Sequence, residues 1–268
     1  MGVMEMAEFE ALIGEAQTQP ITGWDFSFLY GRSVEEELSW NYKGIVQEAK
    51  AQVTSLLDMG TGGGEFLSSL APLPLDTCAT EGYSPNVAVA HRRLEPLDVS
   101  VAYVESDDVL PFEADRFELI INRHESYTPT EVHRILRSRG TFITQQVGGQ
   151  NDNRINGFLQ APVNDAFAHW NLDFAVEELR QANFQVIDAR EEFPVTRFYD
   201  VGAVVYYLRM VEWQIPDFMI ERYAGRLREL HHFITSNGCF EVLSHRFLIR
   251  ARQSLIITQG NPETDPSA

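Results

Sequence analysis

The feature that most constrains this chain is one run, Leu56-Leu57-Asp58-Met59-Gly60-Thr61-Gly62-Gly63-Gly64-Glu65-Phe66-Leu67, where an apolar strand-like segment enters a glycine cluster and leaves as a helix. A strand that turns through glycines into a helix gathers backbone N–H groups and the helix start where side chains would obstruct a ligand. Such a turn belongs to βαβ architecture. The rest of the chain supplies it, because short β-branched runs alternate with amphipathic stretches over residues 53–258. The dinucleotide fingerprint GxGxxG would need glycine at position 65, where Glu65 stands, so a pyrophosphate ligand is disfavoured.

Periodicity predicts strands over 53–58, 76–81, 100–105, 117–122, 140–147, 184–190 and 246–252, with helices over 63–70, from Pro85 onward, and over 130–137 and 172–181. This is a doubly wound α/β fold with a mostly parallel seven-stranded sheet. Residues 51–190 form its ligand-binding core and 245–258 its last strand. Between them, 191–244 is an aromatic-rich insertion, with a helix over 216–233, that reads as a substrate cap. Residues 1–50 carry Trp24, Phe26, Phe28, Tyr30, Trp40 and Tyr42 and read as a helical cap leaning on the ligand edge of the sheet. His231-His232 reads as a solvated helix end, and 259–268, poor in apolar residues, as a disordered tail.

Charge narrows the partners. With 39 acidic against 21 basic residues, the formal charge of -18 repels nucleic acid and anionic membrane surfaces. Arg246, Arg250 and Arg252 read as the solvated face of a strand. Cys78 and Cys239 lack zinc-type spacing, so no metal is expected. No apolar stretch reaches membrane-spanning length and the first ten residues have no basic region, which points to a cytoplasmic protein.

Four passages carry a family resemblance. Asp58 stands in a DxGxGxG run, and Glu81 ends the second strand 21 residues after Gly60. Glu105-Ser106-Asp107-Asp108-Val109-Leu110-Pro111-Phe112 follows the third strand. Arg116-Phe117-Glu118-Leu119-Ile120-Ile121-Asn122-Arg123-His124-Glu125 contains the fourth, and Glu131-Val132-His133-Arg134-Ile135-Leu136-Arg137-Ser138-Arg139-Gly140-Thr141-Phe142 leads into the fifth, with Ser138-Arg139 where Pro-Gly is usual. Together they resemble the class I S-adenosylmethionine-dependent methyltransferases, of the type 11-like domain.

The resemblance implies an enzyme that binds S-adenosylmethionine through Asp58, Gly60, Thr61, Gly62, Glu81, Ser106, Asp107 and Asn122. Asp58 would serve the charged methionine portion and Glu81 the ribose hydroxyls, while Ser106 or Asp107 would face the adenine. The acceptor would be a small molecule, walled by Trp40, Tyr42, Arg123, Glu125 and Tyr199. Aromatics on a leading amphipathic segment are more often core, however, and Trp40 and Tyr42 read that way too. His124 follows the fourth strand at the ligand edge, so it reads either as a general base with a near-neutral pKa or as a loop histidine with a satisfied hydrogen bond. Methyl transfer from a sulfonium needs alignment more than it needs a base. A non-catalytic S-adenosylmethionine-binding regulator and, against the charge, an RNA methyltransferase are the rival readings.

Overall fold

Strands buried on both faces read as near-continuous apolar runs, and in Ser55–Met59 every position is buried, with Leu56, Leu57 and Met59 apolar. The computed structural model describes residues 3–21 and 23–254. In chain order the elements are α1 (Val3–Thr18), β1 (Ser33–Glu35), α2 (Tyr42–Lys50), β2 (Ser55–Met59), α3 (Glu65–Ser68), β3 (Asp76–Glu81), α4 (Ser84–Leu94), β4 (Ser100–Tyr103), β5 (Phe117–Arg123), α5 (Pro129–Ile135), β6 (Leu136–Val147), α6 (Asn153–Leu159), α7 (Leu172–Gln181), β7 (Phe184–Glu192), β8 (Val195–Phe198), α8 (Val201–Met210), α9 (Ile220–Asn237), β9 (Phe240–Leu243) and β10 (Arg246–Gln253).

The main sheet runs β4-β3-β2-β5-β6-β10-β7. The first five strands are parallel, and β10 enters antiparallel between β6 and β7. The two-residue period of each strand divides its side chains between two cores. On one face Leu57, Met59, Ile120, Phe142 and Phe247 pack with residues of α5 and α7, including Val132 and Leu179. On the other, Leu56, Leu119, Ile121, Ile143 and Leu248 meet Val46 of α2, Leu67 of α3, and Ala90 and Leu94 of α4. Strand order reverses between β2 and β5, which leaves a crevice at their carboxyl ends where ligands bind in open α/β sheets.

The N-terminal segment and the insertion pack on each other. Residues of α1, α6, α8 and α9 share a third core, with Phe9, Ile13, Ile155, Val204, Tyr206, Leu227 and Leu230. A small antiparallel sheet, β1-β8-β9, closes it with Phe198, Phe240 and Val242. This second module is assembled from three chain segments, because α1 buries its apolar residues against α8 and α9. Arg32 fastens it with two hydrogen bonds to Asp200, at 2.6 and 2.8 Å, while Asp200 caps α8 by accepting from Ala203 N–H. His231, expected at a solvated end, is instead buried in this module beside Phe9.

Other boundaries moved for local reasons. β6 begins at Leu136, four residues before the expected start, and Arg139 takes a left-handed φ of +67° where the family pattern has its Pro-Gly turn. A non-glycine residue there costs about 1–2 kcal/mol. No helix among the described residues is long and apolar enough to cross a membrane. The tail at 259–268 lies outside the described residues.

Candidate functional site

The glycine loop leaves β2 at Met59 and is stitched to the end of β3. Thr61 N–H donates to Thr80 O at 2.9 Å and Gly62 N–H to Glu81 Oε2 at 2.6 Å. Tyr83 N–H donates to the other Glu81 oxygen at 2.8 Å, so the buried carboxylate bridges two loops. Gly60 and Gly62 both have left-handed φ, +67° and +60°. A Cβ on Gly62 would project into open space, whereas one on Gly60 would overlap the Glu125 side chain at 2.4 Å. The loop is thus bare backbone toward the crevice, with Glu125 lying against Gly60.

Two expectations change here. The helix after the loop has only four residues, α3, so its macrodipole adds little. Glu65 pairs its carboxylate with Arg93 of α4 beside Gly63, so its charge is already compensated. The case against a pyrophosphate therefore rests on the cleft itself.

That cleft encloses about 440 Å³ between the ends of β2, β3, β4 and β5. Its walls include Gly60, Thr80, Gly82 and Val104, and four carboxylates, Glu105, Asp107, Asp108 and Glu125, with no lysine or arginine among the lining residues. Burial, and then Asp108, raises the Asp107 carboxyl above its ordinary range. Glu125 is raised by burial and by the charges of Asp107 and Glu81. Asp58 is pushed up to about 7 by burial, against the pull of a 2.7 Å hydrogen bond from Thr61 Oγ1 and of the Arg123 cation. A pocket that resists its own negative charge favours a cationic occupant.

Of the two residues expected at the adenine end, Ser106 is drawn into its own loop, donating to Asp108 Oδ2 at 3.0 Å. Asp107 accepts from Ser126 Oγ and, like Ser106, lines the cleft. Asn122 is corrected. Its side chain is fully buried, accepting from Thr144 Oγ1 at 2.8 Å and Gln146 Nε2 at 2.6 Å while donating to Ser126 O. It holds the loop after β5 and offers no polar atom to a ligand.

Trp40 and Tyr42 are core aromatics, not exposed walls. Tyr42 donates to Asn122 O at 2.9 Å, and Trp40 Nε1–H donates to Gln145 Oε1 at 2.9 Å. Because an indole nitrogen can only donate, the Gln145 oxygen must face it, which turns the amide nitrogen toward His124 Nε2 at 3.2 Å. His124 therefore accepts at Nε2 and carries its proton on Nδ1. His124 is exposed by surface area, although protein atoms crowd its ring. Desolvation, then Arg246 and Arg123, hold it well below the ordinary imidazole range. The expected general base is a neutral ring whose acceptor nitrogen is already occupied.

Tyr199 is exposed and is not among the residues that line the cleft. The Glu35–Thr196 end of the small sheet meets the main sheet through an ion pair of Glu35 with Arg246, while Tyr199 follows Phe198 at the opposite end. Thr80, Gly82, Ser126 and Thr128 also line the cleft and were missed by sequence reasoning. Thr80 adjoins Glu81 and could have been found from it, but Ser126 and Thr128 sit in an irregular loop without periodicity.

No protein-family model matches the chain, and a comparison with curated proteins gives no match. Solved structures do match. A protein from Bacillus halodurans C-125 proposed to be a methyltransferase aligns with a TM-score of 0.57 at 15% identity, over 80% of this chain and 99% of its own. A protein of unknown function from Deinococcus radiodurans R1 also reaches 0.57 at 12% identity, over 93% of this chain and 99% of its own. The 4+2 cyclase SpnF aligns at 0.53 and 13% identity, over 94% of each chain. At these identities the likeness shows the fold, a Rossmann-like sheet of the methyltransferase type. Because a cyclase shares it, the fold alone does not select methyl transfer.

Proposed function

We propose that this chain binds S-adenosylmethionine in the acidic cleft and transfers its methyl group to a small-molecule acceptor. The observation that carries the reading is the pairing of a bare glycine loop, clasped by Glu81 at the β2/β5 switch point, with a cleft lined by carboxylates alone among charged groups. The residues present fit that ligand: a sulfonium and an ammonium suit four lining carboxylates, and ribose hydroxyls suit the remaining lone pairs of Glu81. A dinucleotide pyrophosphate fits badly, since it would stand among like charges.

When bound, the cofactor supplies an electrophilic methyl group on sulfur. The protein's own contribution is alignment and exclusion of water. Glu81 and the glycine loop fix the nucleoside end, Asp58 and Glu125 face positive charge beside Gly60, and Asn122 with Gln146 keeps the loop after β5 in register. His124 presents an N–H donor that orients an acceptor and does not take its proton. Calorimetric titration with S-adenosylhomocysteine and with NAD tests the reading; binding of the first alone is the expected result. Product formation with small-molecule acceptors distinguishes an enzyme from a non-catalytic binder.

A further inference from the structure

An acidic cleft leaves one problem for a ligand that carries an amino-acid group: its carboxylate needs a cation. Two arginines stand near the glycine loop. Arg93 is engaged by Glu65 and donates to Gly63 O at 2.8 Å. Arg123 is different. It is the last residue of β5, one step beyond the Met59–Asn122 register pair, which sets its backbone beside Gly60. Asp58 pairs with Ile121, and the two-residue period gives Arg123 the same face of the sheet as both. On that face its guanidinium lies 5.5 Å from the centroid of Phe66, in the helix that follows the loop.

Among the described residues no carboxylate lies within ion-pair distance of Arg123, and its side chain is exposed. Stacking on Phe66 uses a guanidinium face and leaves its in-plane N–H groups free to grip an oxyanion in the bidentate way a lysine cannot. Resting on the cofactor reading above, we infer that Arg123 binds the carboxylate of the cofactor's methionyl portion, past the Gly60 end of the cleft, and is not an acceptor-binding residue. This also accounts for a cation being placed where the surrounding acids would otherwise repel that group.

The test compares two ligands on wild-type protein and on R123Q and R123K, with thermal melts to confirm folding. S-adenosylhomocysteine has the amino-acid portion, and methylthioadenosine has the same nucleoside thioether without it. In R123Q, affinity for S-adenosylhomocysteine falls about tenfold or more while that for methylthioadenosine stays unchanged, and R123K recovers part of the loss. Equal weakening of both ligands would show a structural role and overturn the inference, as would an unchanged affinity for S-adenosylhomocysteine. Failure of the wild-type protein to bind S-adenosylhomocysteine at all would instead remove the cofactor reading, and this inference with it.

Discussion

Replacing Glu81 with glutamine removes the charge while keeping the shape, and the structure says what each oxygen was doing. Oε2 accepts from Gly62 N–H at 2.6 Å and Oε1 from Tyr83 N–H at 2.8 Å, in a side chain that is nearly inaccessible to water. An amide can keep one of these contacts but must present its own N–H₂ to the other donor. A buried donor left unmet costs about 1–3 kcal/mol. For a chain of this size that corresponds to a fall in melting temperature of roughly 2–12 °C. On the proposed reading the same carboxylate also accepts from the ribose hydroxyls, so S-adenosylhomocysteine should bind about tenfold or more weakly, a loss separable from stability by titrating below the melting transition. Glu81→Ala would leave both donors unmet and is the less informative variant. A Glu81→Gln protein that melts lower yet binds unchanged would confine Glu81 to bracing the loops and refute its ligand role; no change in either would refute the geometry.

Other consequences follow from the same network. Asp58 titrates near 7 in the folded chain against 3.8 ordinarily, so the native state holds the extra proton between those values and stability falls as pH rises through that window; Asp58→Asn should flatten that part of the melting-temperature profile. A cationic ligand should expel that proton, making the binding enthalpy at pH 7 depend on the ionisation enthalpy of the buffer. Nitrogen-15 spectra of the His124 imidazole should show the Nδ1–H tautomer with a pKa below 6.5, and Trp40→Phe, by freeing the Gln145 amide to turn over, should move it upward. With an acceptor in hand and cofactor saturating, turnover should show no rise through a histidine pKa between about pH 6 and 8, because a neutral His124 takes no proton there.

Much of the sheet was legible because each strand carries its own pattern. The spans 76–81 and 172–181 agree to the residue with β3 and α7. Local punctuation explains the second case, since Asn171 caps α7 by accepting from Phe174 N–H. The glycine loop, its partner Glu81 and the acidic loop after β4 also came together as their spacing implied, because all three hang on the carboxyl ends of neighbouring parallel strands. The second module was not legible. Its core joins α1 to α8 and α9 across some 190 residues of chain, and no local period reports such a contact. Side-chain direction was equally hidden: Asn122 and Arg123 are adjacent, yet strand alternation buries one and sends the other over Phe66. Between pocket wall and core, the two readings of Trp40 and Tyr42 were decided only by hydrogen-bond partners far along the chain, Gln145 and the Asn122 carbonyl.

Calorimetric titration of the wild-type chain measures directly whether the acidic crevice at the β2/β5 switch point takes a cationic nucleoside in preference to a pyrophosphate. S-adenosylmethionine and S-adenosylhomocysteine are expected to bind in the micromolar range at one site, with S-adenosylmethionine the tighter because its sulfonium meets the carboxylates, while NAD gives no heat of binding. Saturable binding of NAD with no response to either adenosyl ligand would contradict the account.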